Sequence, residues 1–391
     1  MRGRIITGID IGTANIRIVV CELARGENTP RILTAVSEEA HGLKHGYITN
    51  AEEVVQSIRR AKNTAESAIG MRIKTAYLAI GTLTLSSTTT TGSIAISRPD
   101  GEITETDVSR AHLDAEQKIE GLANMRIIQS VPLEYKVGGQ VVPGRPHGMV
   151  GAGLEAKILF IHALEQHIED LIKSVEQAGI AVHDVVSAPL AESMVLLSRL
   201  QKNAGSMLVN IGAETLEMVV FENNIPQLVH TFNVGSHEIT KAIALSFKLP
   251  MDESEQMKKR PNTALYPQED IADIIDTHTV DFFKLIDKKL KSINRSRLLP
   301  AGVVITGGGS RLHNIVSLAK ETLSLPAEAA KDIQVFHEQD GKLEKGTIPP
   351  EWAIAYGSCL MGALNEPRPQ KTAVANELID TVRAFIRQFL P

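Results

Sequence analysis

The chain has 391 residues, of which 43% are hydrophobic and 22% are charged, and its formal net charge is −5. This composition is typical of a globular protein and excludes a wholly disordered chain, a collagen and a coiled-coil rod. Because the chain is mildly acidic and has few aromatic residues, we expect no nucleic-acid partner, which would need a basic surface and stacking platforms. The two cysteines exclude a disulfide framework, and the sequence has no apolar run of about 18 residues that would predict a membrane-spanning helix.

Strand and helix patterns alternate along the first part of the chain. They predict strands at Arg4–Gly12, Ile16–Glu22 and Thr75–Ile80, and helices at Ala51–Ile69 and Glu165–Ala178. A tight turn joins the first two strands, which predicts a β-hairpin. We assign residues 1–83 and 165–186 to one lobe.

Residues 84–164 are predicted to form a small α+β insert in that lobe. Thr104-Glu-Thr-Asp107 is a capping box that begins a helix extending to about Glu120. Two strands follow, Ile127–Tyr135 and Leu154–His162, with a Gly- and Pro-rich loop between them.

The beginning of the chain is repeated near its middle. Asp10-Ile11-Gly12 is matched by Asn210-Ile211-Gly212, 200 positions later, and each copy has the pattern of strand, glycine turn and strand. Repeated secondary structure around a repeated motif indicates duplication, which predicts two similar α/β halves with a cleft between them.

Residues 187–364 are predicted to form the second lobe, with a subdomain at about 238–300. A strand is expected at Gly302–Thr306, and helices at Ser236–Phe247, Asp252–Arg260, Asp270–Ser292, Leu312–Leu323 and Trp352–Leu364. Residues 365–376 contain two prolines and few apolar residues, so we interpret them as a flexible linker.

The turn of the first hairpin is a candidate phosphate site. Gly12 lets a phosphate approach the backbone, while turn N–H groups and the Thr13 hydroxyl can donate hydrogen bonds. Asp10 at the strand end is placed to hold Mg²⁺ through water. The alternative is a plain hairpin turn, but the equivalent turn at Asn210–Thr215 favours function, since two facing hairpins can clamp a triphosphate.

A run of three glycines, in Thr306-Gly307-Gly308-Gly309-Ser310, is a second candidate site. Glycines after an apolar strand allow a flat ligand to lie against the backbone, and a following helix N-terminus favours anions. No Gly-Lys-Ser/Thr follows, so this is not a Walker A loop. The alternative is an ordinary turn between a strand and a helix.

Residues 377–391 have an amphipathic helical pattern. An interfacial membrane helix fits it, with reversible binding by one copy and firm attachment by several linked copies. The alternative is a helix docked on the body of the protein. The apolar face consists of Leu378, Ile379, Val382, Phe385, Ile386, Phe389 and Leu390.

These segments together resemble the bacterial cell-division family FtsA, within the actin-like ATPase superfamily. Asp10-Ile-Gly-Thr-Ala-Asn15 is similar to its first phosphate motif, and the segment from Gly302 to Ser310 to its adenosine motif. The insert resembles the extra SHS2-like subdomain, 1C, of that family. The resemblance implies an α/β fold of the duplicated actin-like (ribonuclease H-like) kind, with lobes IA and IIA/IIB and the insert in the first.

The resemblance also implies a nucleotide site that takes ATP with Mg²⁺, the metal being held by Asp10 through water. Glu255 and Lys258 match the Glu-x-x-Lys pair that contacts adenosine in the family. The nucleotide-binding residues it implies are Gly12, Thr13, Ala14, Asn15, Gly212, Ala213, Glu214, Thr215, Gly235, Glu255, Lys258, Gly307, Gly308, Gly309 and Ser310.

The partners implied by the resemblance are further copies of the chain in a filament, and the C-terminal peptide of FtsZ on the second lobe. Later divisome proteins would bind the insert, and membrane lipid would bind the terminal helix. The implied location is the cytoplasmic face of the inner membrane at the division septum, as a peripheral protein.

The second phosphate motif departs from the family pattern Asp-Ile-Gly-Gly-Gly-Thr. Asn210 lacks a carboxylate, Ala213 replaces a glycine, and Glu214 brings a negative charge towards the expected phosphates. We therefore expect ATP binding with weak or absent ATPase activity. Asp10, Asn210 and Glu214 are the candidate catalytic positions, with Glu214 alternatively positioning the attacking water.

Two alternative functions share parts of this pattern. The type IV pilus protein PilM carries the same insert, so a PilM-like role in pilus assembly is the first alternative. A sugar- or acetate-kinase-like phosphotransferase on the same duplicated core is the second. It needs a catalytic carboxylate in an acceptor pocket, for which the sequence offers no clear candidate, and it leaves the terminal helix unexplained.

Overall fold

A computed structural model describes residues 3–24, 29–260, 267–339 and 342–365. The strands are β1 Arg4–Ile11, β2 Asn15–Leu23, β3 Arg31–Glu39, β4 Leu43–Lys44, β5 Tyr47–Ile48, β6 Thr75–Ile80, β7 Ser86–Ala95, β8 Met125–Val137, β9 Gln140–Val142, β10 Gly153–Leu164, β11 Ala181–Ser187, β12 Ser206–Ile211, β13 Leu216–Glu222, β14 Ile225–Phe232, β15 Val303–Thr306, β16 Ala327–Ala329, β17 Ile333–Gln339 and β18 Lys342–Ile348. The helices are α1 Ala51–Ile69, α2 Glu105–Gln117, α3 Glu165–Gln177, α4 Ala188–Leu196, α5 Arg199–Ala204, α6 Ser236–Phe247, α7 Met251–Lys259, α8 Gln268–Ser292, α9 Ile315–Leu323 and α10 Ala353–Asn365.

The predicted duplication is present as two five-stranded patterns with the same order. The first is β11-β6-β1-β2-β3, and the second is β16-β15-β12-β13-β14. In each, a central strand pairs in parallel with one neighbour and antiparallel with the other: β1 with β6 and β2, β12 with β15 and β13. The α/β fold with two related halves is therefore confirmed.

Each sheet is covered by helices that bury an apolar face. Helices α1 and α3 pack together on the first sheet, and α10 packs on it with α4. Helices α6, α8 and α9 share a core with β12, β13 and β15 of the second sheet. The apolar, nearly continuous strands β1 and β12 are buried between these layers, as central strands of such sheets require.

The insert consists of β7, α2, β8, β9 and β10. The sequence predicted the helix and the strands β8 and β10, whereas β9 lies in the segment predicted as a loop. Helix α2 begins with the predicted capping box between Thr104 and Asp107 and packs on β7 and β10. It ends at Gln117 rather than near Glu120, because the N–H of Lys118 closes onto the carbonyls of Ala115 and Glu116. The insert is continuous with the second sheet through one pairing, Ser86 with His230.

The segment predicted as the second lobe, 187–364, contributes to both sheets. The hairpin β17–β18 extends the first sheet beside β3, and α10 also packs on that sheet. Helices α6–α8 lie in the range assigned to a subdomain at 238–300. The lobe boundaries drawn from the sequence stay predictions.

The predicted linker, 365–376, and the amphipathic segment, 377–391, lie outside the described residues except for Asn365 at the end of α10. Among the described residues, the helices are all too short or too polar to cross a membrane.

Candidate functional site

The turns of the two repeated hairpins have the same backbone arrangement. The N–H of Gly12 donates to the carbonyl of Asn15 at 3.0 Å, and the N–H of Gly212 donates to the carbonyl of Thr215 at 2.9 Å. Each turn lies where a central strand leaves its sheet. The two candidate phosphate loops are therefore equivalent in backbone and position.

Below the first turn, the carboxyl of Asp10 faces a cationic side chain. It lies directly across the strand pair from Arg17, whose Nη1 is 3.6 Å from Oδ2 of Asp10. Burial raises the pKa of Asp10, and Arg17 partly opposes that shift. The first hairpin thus holds a buried carboxyl next to one cation.

Below the second turn, an amide occupies the equivalent position. Nδ2 of Asn210 donates to both carboxyl oxygens of Glu192, at 2.9 and 3.0 Å. Glu192 projects from α4 and is 2% exposed, and burial raises its pKa to about 8, against the effect of the Asn210 hydrogen bond. The carboxyl missing from position 210 is thus supplied by a neighbouring helix.

A third acid completes the floor of the cleft. Glu217 pairs across the strands with Asn210, as Arg17 pairs with Asp10. It is buried, and its Oε2 has no hydrogen-bond partner among the described residues. Burial raises its pKa well above the usual range, and the charges of Glu192 and Asp10 add to the shift. The acids below the two hairpins are therefore close enough to change one another's pKa.

Gly235 positions α6 directly behind the second turn. A Cβ at Gly235 would lie 2.5 Å from the carbonyl oxygen of Ala213, so a side chain would push the helix away. The N–H groups of Ser236 and His237 donate to the carbonyls of Gly212 and Ala213, at 2.9 and 2.7 Å. The start of α6 therefore orients the loop.

The pair Glu255 and Lys258 on α7 is bound to α6. Nζ of Lys258 lies 2.6 Å from Oε2 of Glu255 and donates to the carbonyl of Ser236 and the hydroxyl of Thr240. The side chain of Lys258 is 6% exposed and that of Glu255 is 32% exposed. Glu255 is the member that a ligand can reach, while Lys258 holds α7 against α6.

The three glycines have different surroundings. A Cβ at Gly307, whose φ is +80°, would lie 2.3 Å from Oδ1 of Asn210, and one at Gly309 would lie 2.3 Å from Ile211. Gly308 faces open space. The hydroxyl of Ser310 donates to the Gly307 carbonyl at 2.7 Å. The absence of side chains at Gly307 and Gly309 thus lets the turn pack closely against β12. Gly308 is left open, so a flat ligand could lie against its backbone.

The helix predicted to start at Leu312 starts later. Residues Gly308–Arg311 form a 3₁₀ turn, and α9 begins at Ile315 because Asn314 has a left-handed φ of 52°. The helix N-terminus is therefore separated from the glycines. The prediction that a helix N-terminus directly after the glycines favours an anion there is wrong.

Glu214 makes a contact that the sequence did not predict. Its Oε2 accepts a hydrogen bond from the backbone N–H of His45, and its carbonyl oxygen lies 3.4 Å from Nδ1 of the same residue. His45 and Gly46 have φ of 51° and 77° at the tip of the β4–β5 hairpin, as a type I′ turn requires. Glu214 therefore spans the cleft.

Asp10 is the residue of the predicted site that the sequence assigns to Mg²⁺. Among the described residues, His, Cys, Asp and Glu side chains form no group of three that could hold a metal ion. Asp10 is suited to an ion held through water, which is how Mg²⁺ often binds beside phosphates. The unpartnered Oε2 of Glu217 is a further buried polar atom of the described chain near this floor.

Sequence reasoning missed Arg17, His45, Glu192 and Glu217. Arg17 and Glu217 stand at equivalent places of the 200-residue repeat, and that equivalence was a usable signal. Glu192 is the single charge in the apolar helix α4, which was a second signal. The predicted nucleotide contacts themselves stay predictions.

The chain is similar in sequence to proteins of one family. The sequence model for "Cell division protein FtsA" matches residues 207–357, and that for "SHS2 domain inserted in FTSA" matches residues 83–162. Cell division protein FtsA of Pseudomonas aeruginosa is 27% identical, over 83% of this chain and 82% of its own length. FtsA of Neisseria meningitidis is 25% identical, over 95% and 94%.

Solved structures show the same fold. The PilM–PilN type IV pilus biogenesis complex gives a TM-score of 0.67 at 19% identity, covering 93% of this chain and 99% of the other. The ethanolamine utilization protein EutJ of Carboxydothermus hydrogenoformans gives 0.55 at 17%, covering 92% and 90%. Duplicated sheets, paired hairpins and the insert define an actin-like protein with an SHS2 domain. Within that class, the chain belongs to the FtsA family of cell-division proteins.

Proposed function

We propose that this protein binds ATP with Mg²⁺ in the cleft, polymerises on the cytoplasmic membrane and tethers the FtsZ ring. The observation that carries the proposal is that two equivalent turns, whose floor acids Asp10 and Glu217 affect each other, lie with a glycine turn that is packed on β12. Family membership supports the cell-division role. FtsZ binding by the second lobe, recruitment of later divisome proteins by the insert and a septal location rest on that membership alone.

Within the cleft, each group has a defined part in the proposal. The N–H groups of the two turns bind phosphate oxygens, and Gly308 lies below the base. Asp10 orients water on Mg²⁺, which when bound neutralises phosphate charge. Glu255 is the reachable acid beside the nucleoside. Lipid binding is assigned to the apolar face of residues 377–391.

Weak ATPase activity follows from the second loop. Glu214 adds negative charge beside the expected phosphates, and Asn210 is committed to Glu192. ATPase assays of the wild type and Glu214→Gly test this point. Slow turnover by the wild type is expected, whereas fast wild-type turnover that Glu214→Gly abolishes would make Glu214 a catalytic residue.

Electron microscopy on a lipid monolayer with Mg-ATP tests the proposal as a whole. The full chain should form membrane-bound filaments, and a chain ending at Leu364 should stay off the lipid. If neither chain binds lipid or assembles, the proposed tethered polymer is wrong.

A PilM-like role in pilus assembly is the second candidate, because the PilM–PilN complex shares the fold over nearly the whole chain. Titration with an FtsZ C-terminal peptide and with a pilus N-terminal peptide separates the two. Binding of the FtsZ peptide alone is the expected result, and binding of the pilus peptide alone would favour the second candidate.

A further inference from the structure

We propose that Glu214 is a cross-cleft latch that selects between nucleoside diphosphates and triphosphates. The inference rests on the proposed nucleotide site. It starts from the bond between the Glu214 carboxylate and the backbone N–H of His45, which joins the second phosphate loop to the first lobe.

Both ends of the latch are held in place. On one side, the loop that carries Glu214 is bound by the N–H groups of Ser236 and His237 at the start of α6. On the other side, the β4–β5 hairpin is anchored to α3 by the ring of Tyr47, whose centroid lies 4.1 Å from that of His167. The bond therefore connects two supported elements across the cleft.

The latch puts a negative charge at a site whose other features suit anions. The turns that begin at Gly12 and Gly212 are the proposed phosphate loops, and the Glu214 carboxylate of the second loop already occupies the His45 N–H. A terminal phosphate added between the loops meets this carboxylate, and like charges at about 4 Å repel each other even in water. A triphosphate must therefore displace Glu214 from His45, whereas a diphosphate has no terminal group to do so.

The contact between Glu214 and His45 therefore depends on whether the nucleotide has two phosphates or three. With a diphosphate or an empty cleft, Glu214 holds the β4–β5 hairpin against the second lobe. With a triphosphate, the hairpin is released from the loop. The consequence is a diphosphate preference in the wild type and a nucleotide-dependent contact between lobes.

Two variants separate the charge of Glu214 from its hydrogen bond. Glu214→Gln keeps an oxygen that can accept from the His45 N–H but removes the charge, and Glu214→Ala removes both. Glu321→Gln, an exposed acid on α9, is the matched control for the loss of one charge. Dissociation constants for Mg-ATP and Mg-ADP are measured on the full chain.

Glu214→Gln should shift the ratio of ATP to ADP affinity towards ATP by about fivefold or more, the factor that corresponds to one like-charge pair at 4 Å in water. Glu321→Gln should leave the ratio unchanged. An unchanged ratio in both Glu214 variants overturns the inference, while binding of both nucleotides by the wild type leaves the proposed nucleotide site intact.

Hydrogen exchange of the His45 amide without nucleotide tests the bond directly. Protection should be present in the wild type and Glu214→Gln and lost in Glu214→Ala. Equal exchange in all three overturns the latch. If no variant binds either nucleotide, the proposed function fails and the selective role fails with it, whatever the His45 exchange shows.

Discussion

The two phosphate hairpins share a backbone but differ in the charges below it. In the first, Asp10 faces Arg17, and in the equivalent pair of the second, Asn210 faces Glu217. The first pair combines an acid with a base, while the second places an acid where the first has the base. The two copies thus share the backbone of the turn but differ in the charges of the residues below it.

Their surroundings differ as well. At the first turn, the carbonyl of the exposed Ala14 accepts from the N–H of Ala40, whereas the second turn is held by α6, by the glycine turn at Gly307 and by His45. The second loop is thus the more firmly positioned of the two. Substitutions near it should cost more folding free energy than those near the first, which the following variants test.

The largest effect is expected for Gly307→Ala. The new Cβ would overlap the Asn210 side chain and the Ile211 carbonyl at a positive φ, so the variant should lose about 3 kcal/mol of unfolding free energy. The neighbouring Gly308→Ala adds a methyl to open space and should stay within about 0.5 kcal/mol, while weakening nucleotide binding. Urea unfolding of both variants measures this contrast, and equal losses would contradict it.

Asn210→Asp should be the next most costly change. It replaces the amide that donates to Glu192 with a second carboxyl, and two buried carboxyls that share one site cannot both ionise, which costs about 2–3 kcal/mol near neutral pH. The double variant Asn210→Asp/Glu192→Gln restores a donor and an acceptor with their places exchanged. Its stability should recover most of the loss, and additive losses in the double variant would show that the two side chains do not act as a pair.

Asp10→Asn should change ligand binding more than folding. The substitution keeps the size of the side chain but removes the charge that orients water on Mg²⁺, so the Mg²⁺-dependent part of ATP affinity should fall by about 10–100-fold. Calorimetric titration of the protein with ATP, in the presence of Mg²⁺ and in the presence of a chelator, measures the Mg²⁺-dependent part of the affinity. The exposed Asp281→Asn is the control, and equal Mg²⁺ dependence in both variants would remove Asp10 from the metal site.

The sequence predicted those features that depend on local pattern. Alternation, capping at Thr104 and the repeat of Asp10-Ile11-Gly12 at Asn210 predicted the strands, the insert helix and the duplicated core. Local glycine chemistry also predicted the turn at Gly307. These signals act within a few residues, or between copies of one motif, and can be read along the chain.

Contacts between residues far apart in the sequence could not be predicted from local patterns. The hairpin β17–β18 joins the first sheet although it lies within the segment predicted as the second lobe, because pairing with β3 depends on which edge is free after folding. Glu192 reaches Asn210 only because α4 lies beside the end of β12. The bond of Glu214 to the N–H of His45 involves a backbone group, which leaves no mark in residue identity.

The acids below the two hairpins make the unfolding free energy depend on pH. An acid whose pKa rises on folding favours its protonated form in the folded state. The contribution of Glu192 is therefore fully present below its ordinary pKa of 4.5 and is lost as the pH rises through about 8. Burial shifts the pKa of Asp10 and of Glu217 in the same direction.

The substitution Glu192→Gln removes one of these ionisable carboxyls. Between about pH 5 and pH 7.5, the unfolding free energy of the wild type should therefore fall more steeply than that of Glu192→Gln, by about 1.4 kcal/mol per pH unit. Urea unfolding at several pH values measures the two slopes, with Glu321→Gln expected to follow the wild type. Parallel curves for the wild type and Glu192→Gln would mean that Glu192 is already ionised beside Asn210.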